Sequence, residues 1–116
     1  MQEVTAIIRL NMLQRTKEAL AEKGYYAMHA MKVLGRGKQR GIAYELTGSV
    51  EQGSGRMRYI PKRMLSMVVP ESQVEEVVRT IIEVNQTGHH GDGKIFVSPV
   101  QDAIRVRTGE HGEAAL

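Results

Sequence analysis

The sequence contains no cysteine and no tryptophan, and it has a single phenylalanine. Without cysteine the chain can form neither a disulfide nor a thiolate metal site. The scarcity of aromatic side chains also removes the stacking surfaces that single-stranded nucleic acid binders use. No apolar run is long enough for a signal peptide or a membrane span, so we expect a cytoplasmic protein that does not insert into membranes.

The length and the net charge set further limits. A chain of 116 residues is a common size for one compact domain, and we expect a single domain over residues 1–116. Its formal charge of +3 is a small excess, which a charged surface with a few anion sites explains. We therefore do not expect nucleic acid as a partner.

The first third of the chain predicts a strand, a helix and a second strand. Alternation from Val4 to Leu10 predicts a strand with Val4, Ala6, Ile8 and Leu10 on one face and Thr5, Ile7 and Arg9 on the other. The following helix is predicted to be capped by Asn11 and to end at Gly24. The bulky residues from Tyr25 to Leu34 predict the second strand.

A long polar segment follows, and it shows no helical or strand periodicity. Residues 35–59 include six glycines and several charges. The segment is too polar to pack and too long for an ordinary hairpin connection, which is typical of a functional loop. We place this loop at about residues 37–59.

The second half repeats the strand and helix order. Met64–Val69 predicts a third strand, and Pro70 opens a helix that runs to about Val84. The apolar stripe of that helix consists of Val74, Val77, Val78, Ile81 and Ile82. Two more strands are predicted, 94–97 and 103–107. The order βαββαβ plus a short C-terminal strand predicts an α+β, ferredoxin-like split βαβ fold.

The segment from Thr87 to Val97 is glycine-rich and resembles a phosphate cradle. Its glycines let backbone N–H groups face an anion, and Lys94 adds a positive charge. A P-loop is excluded because Ile95 stands where Ser or Thr would bind magnesium. The alternative is a plain turn between a helix and a strand.

Two arginines lie two positions apart in the predicted last strand. Arg105 and Arg107 would leave the same face of that strand while Ile104 and Val106 enter the core. Two neighbouring guanidinium groups suit a polyphosphate, which accepts several hydrogen bonds from each. The alternative is an exposed strand face with no ligand.

No pattern in the sequence indicates catalysis. No Ser-His-Asp arrangement and no paired carboxylates can be argued, and the four histidines lack the spacing of a zinc site. We therefore expect a sensor and not an enzyme.

Two carboxy-terminal segments together closely resemble the signatures of PII nitrogen-regulatory signalling proteins. They are Gly91-Asp-Gly-Lys-Ile-Phe-Val97 and Ile104-Arg-Val-Arg-Thr-Gly-Glu110. The resemblance extends over nearly the whole chain, through Ala6-Ile-Ile8, Glu18-Ala-Leu-Ala-Glu-Lys-Gly24, Pro61-Lys62 and Thr87-Gly88.

The resemblance implies a homotrimer that binds ATP or ADP between subunits and 2-oxoglutarate through Mg²⁺. By position, the nucleotide-binding residues would be Gly35, Gly37, Lys38, Gly91, Asp92, Gly93, Lys94, Arg105 and Arg107. Gln39 would coordinate the metal and contact 2-oxoglutarate, and Lys62 would meet the acid or a phosphate. The long loop between strands two and three would be the flexible T-loop that contacts a target protein.

The loop departs from the common bacterial pattern. Where that pattern reads Tyr-Arg-Gly-Ala-Glu-Tyr, this chain has Leu46-Thr-Gly-Ser-Val-Glu51, so modification of a tyrosine at the apex is not expected. The segment 33–42 is more similar to the Nif-linked PII-like proteins of archaea and some anaerobic bacteria. That subgroup implies nitrogenase as the target and either a homotrimer or a mixed assembly with a paralogue. The residues expected to contact the target are Thr47, Gly48, Ser49, Glu51 and Arg56.

Other functions remain open from the sequence. A PII-type regulator could act on an ammonium transporter or on glutamine synthetase instead. An RNA-recognition module shares the fold, but the predicted third strand 64–69 has no aromatic residue. A small phosphate-ester enzyme could also use the basic residues, although no nucleophile or base accompanies them.

Overall fold

The structure is a computed structural model that describes residues 1–37 and 59–116. Most of the predicted loop lies outside the described residues, and this part includes Lys38, Gln39, Thr47, Gly48, Ser49, Glu51 and Arg56. In chain order the elements are β1 (Gln2–Arg9), α1 (Leu13–Glu22), β2 (His29–Gly35), β3 (Ile60–Val69), α2 (Val74–Asn85) and β4 (Lys94–Pro99).

The four strands of the described residues form one antiparallel sheet in the order β2-β3-β1-β4. The two central strands pair in register, with Ala6 of β1 opposite Leu65 of β3. On the other side of β1, Ala6 lies opposite Ile95 of β4. The α+β, ferredoxin-like prediction is confirmed, and the two central strands come from the two halves of the chain.

The core lies between one face of this sheet and the two helices. Because side chains alternate along a strand, every second residue of β1 and β3 enters this core. The buried apolar residues are Val4, Ala6, Ile8, Leu65, Met67 and Val69 from the sheet and Leu20, Val77 and Ile81 from the helices. Burying each of the larger side chains contributes about 1.5 to 3 kcal/mol relative to leaving it exposed.

Helix α1 ends as the sequence predicts but begins differently. Gly24 has φ +94°, and two hydrogen bonds close the helix, Gly24 N–H to Ala21 O and Tyr25 N–H to Leu20 O. The predicted Asn11 cap is wrong, because a 3₁₀ turn over Leu10–Met12 precedes the helix. Leu10, predicted to lie in the strand on the same face as Ile8, is 47% exposed because that turn takes it out of strand geometry.

Helix α2 follows a 3₁₀ turn, Glu71–Gln73, that starts after Pro70. Val77 and Ile81 are buried as predicted, whereas Ile82 is 42% exposed because it lies at the edge of the apolar stripe. The end of the helix is fixed by a buried amide, since Asn85 Nδ2 donates to Thr16 Oγ1 of α1 at 3.0 Å. Apolar periodicity gave no signal for this polar contact between the helices.

Strand β2 starts at His29, four positions later than the predicted Tyr25. Tyr25 instead packs against the core, and its hydroxyl donates to Glu76 Oε1 at 2.5 Å. That hydrogen bond is the first cause that raises the pKa of Tyr25 to about 12, with partial burial and the negative charge of Glu76 acting in the same direction. The segment after α1 is therefore attached to α2 before it enters the sheet.

The C-terminal strand predicted over Ala103–Arg107 is wrong. The described structure has only an isolated bridge there, between Ile104 and His111. Ile104 is 57% exposed and Val106 is 97% exposed, so neither enters the core of its own chain. The segment turns back on itself because the N–H of Gly109 donates to the carbonyl of Arg105 at 2.7 Å.

The second face of the sheet carries apolar side chains that no element of the described residues covers. Strand alternation and register place on this open face Ile7, Met31, Val33, Met64, Val68 and Phe96. Met31 is 54% exposed and Phe96 is 55% exposed.

Candidate functional site

The turn between α2 and β4 is organised by one carboxylate. Asp92 Oδ2 accepts hydrogen bonds from the backbone N–H groups of Thr87 at 2.7 Å and Gly88 at 2.9 Å. Asp92 Oδ1 accepts from the hydroxyl of Thr87 at 2.5 Å. The carboxylate therefore closes the turn from 87 to 92, a role that the glycine pattern alone does not indicate.

Arg9, at the end of β1, connects this turn to the sheet. Its Nη1 donates to Asp92 Oδ1 at 2.7 Å, and its Nη2 donates to the carbonyl of His90 at 2.9 Å. Sequence reasoning missed Arg9, because the residue it contacts lies 83 positions away. The only local signal was a charged residue at the end of an apolar strand.

The environment of Asp92 favours its charged form. Partial desolvation would raise the pKa of this carboxyl, but hydrogen bonds from the side chain and backbone of Thr87, from Arg9 and from Gly88 outweigh it and hold the pKa well below its usual range. The ion pair with Arg9 is partly exposed, with the two side chains 28% and 22% accessible. Asp92 is thus a permanent anion at neutral pH whose oxygens are already engaged by the chain.

Gly93, the last residue of this turn before β4, has to be glycine because its backbone lies very close to the sheet. Gly93 has φ +119°, and a Cβ atom there would lie 2.0 Å from the carbonyl oxygen of Ile7. No other residue fits without moving the backbone. At Gly91 a Cβ would meet Arg9 Nη2 at 3.2 Å, so the turn also lies close against that guanidinium.

Lys62 lies beside Arg9, since the two are opposite each other across β1 and β3. Its Nζ donates to the carbonyl of Gly91 at 2.7 Å. Partial burial and the nearby charge of Arg9 lower the pKa of Lys62, while Asp92 acts in the opposite direction. The structure therefore joins Lys62 to the predicted phosphate cradle.

Lys94 begins β4 and lies opposite Ile7. By strand alternation it projects from the same face of the sheet as Arg9 and Lys62. Its side chain is exposed. A strip of three cations, Arg9, Lys62 and Lys94, thus borders the turn, and we call it the basic strip.

The two C-terminal arginines are not joined to the basic strip. Arg105 Nη1 forms an ion pair with Glu110 Oε1 at 2.6 Å. Its Nη2 donates to the carbonyl of Leu116 at 3.2 Å. Arg107 is exposed. Within residues 1–37 and 59–116, no hydrogen bond or ion pair connects either arginine with the turn at 87–94.

Gly35 and Gly37, which were predicted to bind nucleotide, are also distant from the turn at 87–94 of the same chain. Gly35 ends β2, which is separated from β4 by β3 and β1. Three steps between strands amount to about 14 Å. Gly37 follows outside the strand. Among the described residues, a single chain therefore holds the predicted nucleotide-binding residues as separate groups.

The described part of the chain brings together no three histidine or carboxylate side chains that could hold a metal ion. Gln39, the predicted Mg²⁺ ligand, lies outside that part. Among residues 1–37 and 59–116, no helix is long and apolar enough to cross a membrane.

A family model described as "Nitrogen regulatory protein P-II" matches residues 1–110 of this chain. The chain belongs to the PII family. As a member of it, this PII protein is a signalling regulator, which confirms the expectation that the chain is not an enzyme.

Curated relatives place it more narrowly. "Nitrogen fixation nifHD1 region GlnB-like protein 2" of Methanosarcina barkeri is 52% identical over 122 residues, covering 100% of this chain and 99% of that protein. A protein of Methanobacterium ivanovii named "Nitrogen fixation nifHD region GlnB-like protein 2" is 50% identical over 121 residues, with coverage of 100% and 99%. The prediction of a Nif-linked PII-like protein is thereby confirmed.

A solved structure supports the fold independently of the nif-linked relatives. "Crystal Structure of Arabidopsis thaliana PII bound to citrate" is similar with a TM-score of 0.78 and 38% sequence identity. The match covers 99% of this chain and 91% of that one. The sheet order and helix placement described above are therefore those of a PII protein.

Proposed function

We propose that this PII protein is a cytoplasmic, single-domain sensor of ATP or ADP and of 2-oxoglutarate, and that it regulates nitrogenase by direct contact through the loop at about 37–59. The observation that carries the proposal is the basic strip beside the turn at 87–94. A turn whose backbone is fixed by Asp92 and bordered by three cations is suited to an anion.

The basic strip and the two C-terminal arginines together suit two kinds of anion. Arg105, Arg107 and Lys94 would bind the phosphates of the nucleotide, together with Gly35, Gly37, Lys38 and the Gly91–Gly93 turn. Lys62 would meet a carboxylate of 2-oxoglutarate, because its ammonium already lies at the turn and is only partly solvated. The Arabidopsis PII of similar fold is described as bound to citrate, a carboxylate anion, which supports this assignment.

Mg²⁺ would be held mainly by the ligands themselves. This ion prefers oxygen ligands and often binds through substrate phosphates with few protein groups. The absence of a carboxylate cluster in residues 1–37 and 59–116 suits that arrangement. Gln39 would be the protein ligand, and it would carry the state of the site into the loop.

A homotrimer would complete the site. The open face of the sheet carries exposed Met31 and Phe96, which a second copy of the chain could cover. Within one chain, Gly35 and Lys94 lie about three strand spacings apart. Assembly would also allow Gly35 of one subunit to approach Lys94 of another. A mixed assembly with a paralogue would use the same surfaces.

Nitrogenase is proposed as the target because the names of the relatives refer to nitrogen fixation and the nifHD region. Thr47, Gly48, Ser49, Glu51 and Arg56 would make the contacts. Ligand binding at Gln39 would withdraw this part of the loop from the target, so the signal would need no covalent modification.

Calorimetry on the purified protein tests the sensing function. We expect ATP to bind alone and 2-oxoglutarate to bind only with MgATP present, and linkage requires each to tighten the other by the same factor. Lys62→Gln should abolish 2-oxoglutarate binding, whereas Lys32→Gln, which changes an exposed lysine of β2, should not. Tight 2-oxoglutarate binding without nucleotide would contradict the proposal.

A binding assay with purified nitrogenase component proteins tests the target. The complex should form without effectors or with ADP, and it should dissociate when MgATP and 2-oxoglutarate are added. Deletion of residues 46–56 should prevent its formation. Capture of an ammonium transporter or of glutamine synthetase, but not of nitrogenase, would assign a different PII target.

A further inference from the structure

The segment from Asp102 to Leu116 folds back on itself around Arg105. The N–H of Arg105 donates to the carbonyl of Glu110 at 2.9 Å. At the base of the fold, His111 Nδ1 lies 3.0 Å from Asp102 Oδ2, and the N–H of Gly112 donates to Asp102 Oδ1 at 3.1 Å. Arg105 thus holds the backbone carbonyl of Glu110, and Asp102 holds the two residues that follow it.

Within this fold the Glu110 carboxylate is aimed at the guanidinium of Arg105. Glu110 Oε1 accepts from Arg105 Nη1 at 2.6 Å and from the hydroxyl of Thr108 at 2.8 Å. Arg105 Nη2 is engaged by the carbonyl of Leu116. The chain therefore supplies its own anion to an arginine that the proposed function assigns to phosphate.

A carboxylate and a phosphate use the same donors of a guanidinium, so they compete for it. We infer that Glu110 acts as an internal competitor that lowers the affinity of the nucleotide site for phosphates. The inference rests on the proposed function, because it concerns the ligand that Arg105 binds. It makes Glu110 a residue that sets affinity without contacting the ligand.

The competition is weak enough to be reversed by a ligand. Arg105 and Glu110 are 33% and 46% exposed, and an exposed ion pair changes an equilibrium by at most about fivefold. A polyphosphate carries several negative charges that bind cations of the site, whereas only one ion pair, between Arg105 and Glu110, has to be broken for it to bind. A nucleoside without phosphate does not need Arg105, so Glu110 should not affect it.

Calorimetry on the full chain separates these effects. Glu110→Gln should tighten ATP and inorganic triphosphate by about two- to fivefold and leave adenosine unchanged. Glu113→Gln is the matched control, because it removes the same charge from the next turn, and among the described residues no hydrogen bond or ion pair joins the Glu113 side chain to Arg105. It should change ATP affinity much less.

Thr108→Ala provides a second variant, since it removes the hydroxyl that holds the Glu110 carboxylate and should act in the same direction. Weaker ATP binding in Glu110→Gln, or equal tightening in Glu110→Gln and Glu113→Gln, would overturn the inference. If the unaltered protein binds no ATP, the proposed function fails. Inorganic triphosphate would still test the competition at Arg105, because it needs no adenine site.

Discussion

Arg9 and Asp92 form an ion pair with Nη1 and Oδ1 2.7 Å apart, although 83 positions separate them in the chain. The pair joins the end of β1 to the turn that leads into β4. The same guanidinium also holds the carbonyl of His90. The shape of the candidate anion site therefore depends on a strand residue that is not part of the glycine-rich segment.

Arg9→Met should loosen the turn. The loss of the two hydrogen bonds that the charged guanidinium donates should lower the free energy of unfolding by about 1 to 2 kcal/mol, less than for a fully buried group because the ion pair is partly exposed. Urea denaturation measures this, with Arg79→Met on the exposed side of α2 as the control. Equal stability of the two variants would mean that Arg9 does not support the turn.

Gly93→Ala should be severely destabilising, because its Cβ would lie 2.0 Å from the carbonyl oxygen of Ile7 at a φ of +119°. We expect a loss of more than about 2 kcal/mol. Gly88→Ala separates the two causes, since Gly88 also has a positive φ of +87° but its Cβ would meet open space. That variant should lose only about 1 to 2 kcal/mol, the strain of the left-handed backbone alone. Similar losses in thermal unfolding would contradict the clash.

The depressed pKa of Asp92 predicts loss of stability in acid. A carboxylate with a folded pKa below its unfolded value of 3.8 stabilises the protein fully above that value, and the contribution disappears as pH falls through the folded pKa. Unfolding measured from pH 7 downwards should show a decline that begins near pH 4. Asp92→Asn should be less stable at neutral pH and should flatten the decline. It should not remove the decline entirely, since hydrogen bonds led by the one to His111 also lower the pKa of Asp102.

The open face of the sheet should carry the subunit contacts. Phe96→Asp places a charge on that face, and we expect it to shift the protein from trimer to monomer in sedimentation experiments. The monomer should stay folded, because Phe96 is 55% exposed in the chain and contributes little to its core. Ile82→Asp, on the exposed side of α2, is the control and should leave the assembly intact. A trimer unaffected by Phe96→Asp would place the contacts elsewhere.

Local sequence patterns were sufficient to predict most of the fold. Alternation in β1 placed Val4, Ala6 and Ile8 on one face, which the structure buries, and the 3.6-residue period identified Val77 and Ile81 in the apolar stripe of α2, because periodicity records which residues share a side of an element. Gly24 marked the end of α1 because its role depends only on its own φ and neighbouring hydrogen bonds. Periodicity was misleading at Ile104 and Val106, whose alternation predicted a strand although the segment turns back and leaves both exposed.

By itself, the sequence determined the element order, the core and the segments that could bind an anion, since each depends on neighbours within a few positions. Only the tertiary structure decided what surrounds those segments. It brought Arg9 and Lys62 to the turn at Asp92, joined Asn85 to Thr16, and paired Arg105 with Glu110 in place of a strand. These contacts depend on how strands and turns are placed in space, and hydrophobic periodicity carries no information about the partner of a polar side chain.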